Sequence, residues 1–159
     1  MIEFFNQYAP FIVFIHVLSA IVWIGGMIAI RLTVHPSLQT IENPQIKLGK
    51  TLEIMKRLLN LVIPMIIALI ITAVLLIIGE GLKETELYSI VLVKEGIWIV
   101  MTIIFTIIYI KRYQAEKLFK QKEFTSAKES LKLIPNTLLP INISLGLIAL
   151  YLGVTLRGF

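Results

Sequence analysis

"HVLSAIVWIGGMIAIRLTVH", residues 16–35, begins and ends on the chain's only two histidines and carries a single charge, Arg31, among the eighteen positions between them. A helix apolar on every side is buried in a large protein or embedded in lipid, and about 20 such residues are needed to cross a bilayer core. The rest of the chain has the same character. Of its 159 residues 57% are hydrophobic, above the roughly 45–50% of soluble domains, and the mean hydropathy is +0.88. This is the composition of a membrane protein. The absence of cysteine excludes disulfides and thiolate metal sites.

Four segments reach the required length, at about 10–30, 58–78, 88–110 and 134–154. They predict an all-α integral membrane fold, a bundle of four transmembrane helices in a single membrane domain. The first span lacks the basic start of a signal peptide, runs on for full length, and is expected to end at Pro36. Pro64 is expected to kink the second. The loops at 36–55 and 111–133, with the adjoining helix ends, hold twelve of the fifteen Lys and Arg residues; only Lys83, Lys94 and Arg157 lie elsewhere, where Glu3, Glu80, Glu84 and Glu86 also fall. The positive-inside rule then makes those loops cytoplasmic and puts both termini on the outer, periplasmic side of a bacterial inner (cytoplasmic) membrane. The charge of +5 therefore sets orientation and is no sign of nucleic-acid binding. "KRYQAEKLFKQKEFTSAKESLKL" (111–133) is rich in helix formers and reads as a helical extension of the third span.

On a helical wheel His16, Ser19, Ala20, Trp23, Gly26, Met27 and Ile30 share one broad face of the first span, which directs His16 into the bundle. In the third span Lys94, Trp98, Met101, Phe105 and Arg112 form a similar stripe. Counted at 1.5 Å per residue, His16 and Lys94 each lie roughly 9–10 Å below the outer end. A charged lysine there costs about 2.5–3.5 kcal/mol unless paired, neutral or ligated. A neutral imidazole is a common iron ligand, and Trp23, Trp98, Met101 and Phe105 would suit a porphyrin wall. The plain alternative is a histidine bonded to a neighbouring carbonyl or to Ser19, with Lys94 snorkelling towards Glu95 or Glu86. His16 and His35 stand roughly 28 Å apart along one helix and cannot share an iron within a subunit. Near His35 the sequence gathers Arg31, Arg57, Asn60, Arg112 and Asn136, a cluster readable as ordinary interfacial snorkelling or as a site for a propionate, a headgroup or an anion. Asn142, Gly146, Ala149 and Gly153 form a small-residue stripe on the fourth span, readable as close packing or a dimer face, with Asn142 alternatively a hydrogen-bonding group for a buried ligand. With no Asp, no phosphate loop, no Ser/His/Asp set and no zinc or di-iron spacing, hydrolytic and phosphate chemistries have no support. Four spans without paired broken helices also make a poor secondary transporter.

Taken together, "HVLSAIVWIGGMIAIRLTVH", "MKRLLNLVIP" and "LVKEGIWIVMTIIFTIIYIKRYQ" resemble the HemJ-type protoporphyrinogen oxidase group and the related CopD-like four-helix membrane domains. The shared features are a histidine seven residues before a tryptophan, an arginine near the inner end, and a lysine early in span three. The resemblance implies haem b inside the bundle, with His16 and Lys94 as metal ligands and Trp23, Arg31, Trp98 and Met101 around the cofactor. It also implies electron transfer or oxidation of a membrane-soluble donor such as protoporphyrinogen IX, with a quinone or a partner as acceptor. A homodimer is expected separately, because a four-helix unit has little interior for a porphyrin and its small-residue stripes remain available. "MIAIR" replaces the proline and aromatics that precede the arginine in HemJ-type proteins, and "WIGG" leans to the CopD-like side. There the implied alternative is a copper-handling or transport module without haem. A structural subunit of a larger membrane complex is the third reading.

Overall fold

The computed structural model describes residues 2–81 and 85–156, the side chains of 2–6 excepted, so Lys83, Glu84, Arg157 and the Glu3 side chain lie outside it. Four antiparallel helices form the bundle: α1 over 2–39, α2 over Pro44–Gly79, α3 over Tyr88–Lys120 and α4 over Phe124–Thr155. All four are long and apolar enough to cross a membrane. Their outward faces expose Phe11, Phe14, Leu32, Ile71, Ile99 and Tyr151, an apolar surface too extensive for water but suited to lipid. These are the helices of a multi-pass membrane protein by length and composition. The start of α1, the end of α2, the start of α3 and the end of α4 mark one end of the bundle, the terminal end. The opposite helix ends mark the basic end.

α1 is not a uniform α-helix. Two π turns, Ile21–Gly25 and Ile30–Val34, flank the single α turn Gly26–Ala29. A π turn inserts one extra residue and rotates the remainder of the helix about its axis, and here Trp23, Ile24 and Met27 are all buried across it. The expected stop at Pro36 does not occur, since the helix continues to Gln39. Pro36 falls in the first turn of the segment His35–Gln39, directly after the π turn, where a missing N–H costs little.

α2 begins well before the expected span, inside the predicted 36–55 loop. Asn43 caps it: Oδ1 accepts from the backbone N–H of Gln45 at 2.9 Å and of Ile46 at 3.2 Å, with Pro44 in the first turn. From there Leu48, Leu52, Met55, Leu59, Val62, Ile66, Leu69 and Thr72 are all buried. Steps of four and three make this a heptad stripe, which draws the helix past any membrane boundary. It passes through Pro64 unbroken.

α3 extends beyond Ile110 to Lys120, as the sequence suggests. It ends in a Schellman turn, the N–H of Glu123 donating to Leu118 O at 3.0 Å and that of Lys122 to Phe119 O at 3.1 Å. Lys122 occupies the left-handed position with φ of 64°, which glycine takes without a Cβ penalty. Lys122→Gly is therefore expected to raise stability by about 0.5–1 kcal/mol, read as a higher chemical-unfolding midpoint. α4 starts at once: Phe124 meets Phe119 edge to face at 5.3 Å, and Ala115 and Ala127 are both fully buried where Phe124–Leu131 lies on α3. A third π turn, Ile134–Leu138, carries Pro135 before the helix resumes at Leu139–Thr155.

α1 packs on α2, α2 on α3, α3 on α4, and α4 returns to α1 at residues 21–29. Over 2–20 the main partner of α1 is α2. Trp23 ties α1 to α3, meeting Trp98 at 6.5 Å and Phe105 at 6.0 Å, both edge to face. Gly146 brings α4 close, since a Cβ there would lie 2.8 Å from Ile24 Cγ1 and 3.2 Å from Met101 Cε. Without a hydrophobic effect between helices in lipid, this van der Waals fit is what holds the bundle together.

Candidate functional site at the terminal end

His16, Thr72, Lys94 and Gly153 come from four different helices; the last three lie within about 11 Å of their helices' terminal-end limits, and His16, on the longer α1, lies about 21 Å from Ile2, so the depth of 9–10 Å expected for it is not met. His16 is half-buried and its Nδ1 lies 2.9 Å from Thr72 Oγ1. Thr72 is 6% exposed, and its hydroxyl also lies 2.6 Å from Ala68 O and 3.2 Å from Leu69 O. A hydroxyl has one proton. The close carbonyl takes it, so Oγ1 is the acceptor for His16 and Nδ1 carries the hydrogen. In the neutral ring the Nε2 edge then holds the lone pair, the tautomer of a metal-ligating imidazole held by a neighbour.

The partners expected for the ring are a neighbouring carbonyl or Ser19; at Nδ1 the structure places Thr72. Ser19 is buried at 1% exposure on α1 itself, and the holding group comes from α2. Thr72 was visible in the sequence only as one of two polar residues in the second span. The missed signal is its place as the last member of the α2 heptad stripe, which turns it inward.

Lys94 is half-buried and its ammonium lies on α4: Nζ is 3.2 Å from where a Gly153 Cβ would be. Gly153 is two residues from the end of α4, where unpaired carbonyls and the negative end of the helix dipole favour a cation. The lysine thus leans outward along α4, as snorkelling side chains do.

The other expected cofactor residues lie in deeper layers. Trp98 is half-buried one turn below Lys94, and Trp23 is about 10 Å below His16. Met101 is 2% exposed against Gly146. Arg31 is half-buried in the second π turn, about 20 Å from His16 along α1. His16 lies against Thr72 and Lys94 against Gly153, both on the terminal-end side of the Trp23–Trp98 contact and away from Arg31 and Met101. At the basic end Arg57, Asn60 and Asn136 are exposed while Arg112 is buried.

Inside the bundle is a cavity of about 20 Å³, walled by Trp23, Met27, Met55, Leu59, Phe105 and Ile134 among others. Above it, Asn142 is fully buried; its Nδ2 donates to Met27 Sδ at 3.4 Å, while its Oδ1 and the Trp23 Nε1 have no partner among the described residues. Among those residues no three His, Cys, Asp or Glu side chains converge. The cavity has room for a single small atom or water and none for a porphyrin. The imidazole at the terminal end, His16, meets the Thr72 hydroxyl through Nδ1, and the middle of the bundle offers no space of porphyrin size at this cavity.

The chain matches no protein-family model, no curated protein and no solved structure.

Proposed function

We propose that this chain binds haem b through His16 at the terminal end and serves in electron transfer or the oxidation of a membrane-soluble donor, with protoporphyrinogen IX as donor and a quinone as acceptor on the HemJ-like reading. The observation that carries the proposal is the Thr72 hydroxyl holding Nδ1–H of His16. Bound haem would supply reversible one-electron exchange. His16 would hold the metal, Thr72 would fix the ring, Lys94 would add a second ligand or a propionate partner, and Trp98 with Trp23 beneath would keep water from the site. The basic loops would face the cytoplasm of a bacterial inner membrane and both termini the periplasm; a second copy would complete the cover of the porphyrin.

The test is a pyridine haemochrome assay on the purified chain, with a haem-to-protein ratio. A colourless, haem-free preparation from haem-replete cells overturns the reading. Thr72→Val keeps the shape and removes the hydroxyl, leaving Nδ1–H without its acceptor. It is expected to weaken haem affinity about 10–100-fold, while Thr72→Ser restores it; equal affinity in all three would remove Thr72 from the site.

One observation favours copper handling as a second reading. Met27 and Met55 wall the same one-atom cavity, and thioethers select cuprous ion. Cuprous binding lost in Met27→Leu and kept in His16→Ala would select this reading over haem.

A further inference from the structure

At the basic end one carboxylate serves three cations. Glu116 Oε2 accepts from Arg112 Nη2, while its Oε1 lies 3.3 Å from Lys120 Nζ and 3.9 Å from Lys56 Nζ, the latter reaching across from α2. The local balance is two positive charges in excess. Arg112 occupies the core stripe of α3 two turns beyond Phe105, and its side chain is 5% exposed. Its Nε–H has no hydrogen-bond partner among the described residues. A buried guanidinium with an unmet donor and surplus positive charge is unfavourable unless an anion completes it. The rim is open: the Lys56 and Lys120 side chains are 53% and 73% exposed, and Glu116 between them is 20% exposed. The apolar stretch of α3 ends at Ile110, so the group lies at headgroup level, where basic pockets between transmembrane helices hold lipid phosphates.

We infer that Arg112, Lys56 and Lys120 form a binding site for the phosphodiester of an anionic phospholipid in the leaflet that the basic end faces. The two lysines catch the headgroup at the rim and the Arg112 guanidinium supplies the buried donor, with Glu116 holding the three cations in place. The site lies at the opposite end of the bundle from His16 and does not depend on the haem reading.

The test is native mass spectrometry of the full chain in detergent, titrated separately with phosphatidylglycerol, phosphatidylcholine and inorganic phosphate. Phosphatidylglycerol is expected to bind in preference to phosphatidylcholine. Lys56→Gln/Lys120→Gln, both at exposed positions that spare the fold, is expected to weaken it about 25-fold, at about fivefold per basic residue. Lys128→Gln/Lys132→Gln, which removes the same charge elsewhere at the basic end, is expected to leave it unchanged. Three results would overturn the inference: equal binding of the two lipids, equal losses in the two double variants, or saturation of the site by inorganic phosphate with no lipid preference.

Discussion

Replacing His16 with alanine is expected to abolish the Soret band of the purified protein while leaving the helical bundle intact. The two effects separate because His16 is half-buried at the terminal end, outside the packed column of Trp23, Met27, Leu59, Val62 and Phe105 that carries the fold. The variant leaves Thr72 its hydrogen bond to Ala68 O, so that contact within α2 is kept. The loss of the Thr72 contact costs about 0.5–1.5 kcal/mol, whereas on the proposed reading the group that would hold the iron is lost outright. Far-UV circular dichroism and the visible spectrum of one preparation report both quantities. A His16→Ala protein that keeps a full complement of haem would end the assignment. One that loses both haem and helix would show that the imidazole holds α1 to α2 and would assign it to packing. Lys94→Met sharpens the result: a changed iron coordination spectrum would make Lys94, as its neutral amine, a ligand, and an unchanged one would leave its ammonium capping α4.

Sequence alone carried the helix count, the apolar stretches and the inward face of α1, because these rest on properties each residue has by itself. Ser19, Ala20, Trp23 and Met27 are all buried, as their spacing requires. Three features were harder to read. π turns change which carbonyl an N–H reaches, and no side chain in "IVWIG" or "IRLTV" encodes that choice, so the path of α1 past Pro36 was hidden. The start of α2 was hidden by polarity: Lys47, Lys50, Glu53, Lys56 and Arg57 mask an unbroken stripe from Leu48 to Thr72. Assigning 36–55 to a loop also removed Met55 from consideration, and with it the two-thioether wall of the cavity. The partner of His16 is a tertiary fact. A mid-span threonine usually bonds the carbonyl one turn back, as Thr102 and Thr106 do, and nothing local marks Thr72 as the one that also meets an imidazole.

Trp23→Ala is expected to destabilise the bundle by about 3–5 kcal/mol, the largest stability effect of any single truncation in the chain. The indole is 1% exposed at the level where α1 reaches across to α3, and it contacts both Trp98 and Phe105 edge to face. Each such pair contributes about 0.5–1.5 kcal/mol beyond its buried area. Trp23 already walls the cavity, so truncation would enlarge an existing void where Gly146, Ile24 and Met101 pack too tightly to collapse inward. Lipid chains cannot replace the lost contacts at the centre of a closed bundle, and packing is the main force between these helices. Trp23→Phe provides the internal check. It keeps an edge-to-face ring and deletes the buried Nε1–H that lacks an acceptor among the described residues, so its cost should be less than half that of alanine. Unfolding midpoints by circular dichroism, in a detergent that refolds the protein reversibly, give the comparison. If Trp23→Ala costs under about 1 kcal/mol, a value typical of surface or easily relaxed sites, the aromatic contact between α1 and α3 is not what closes the bundle. The close approach of α4 at Gly146 would then carry that role.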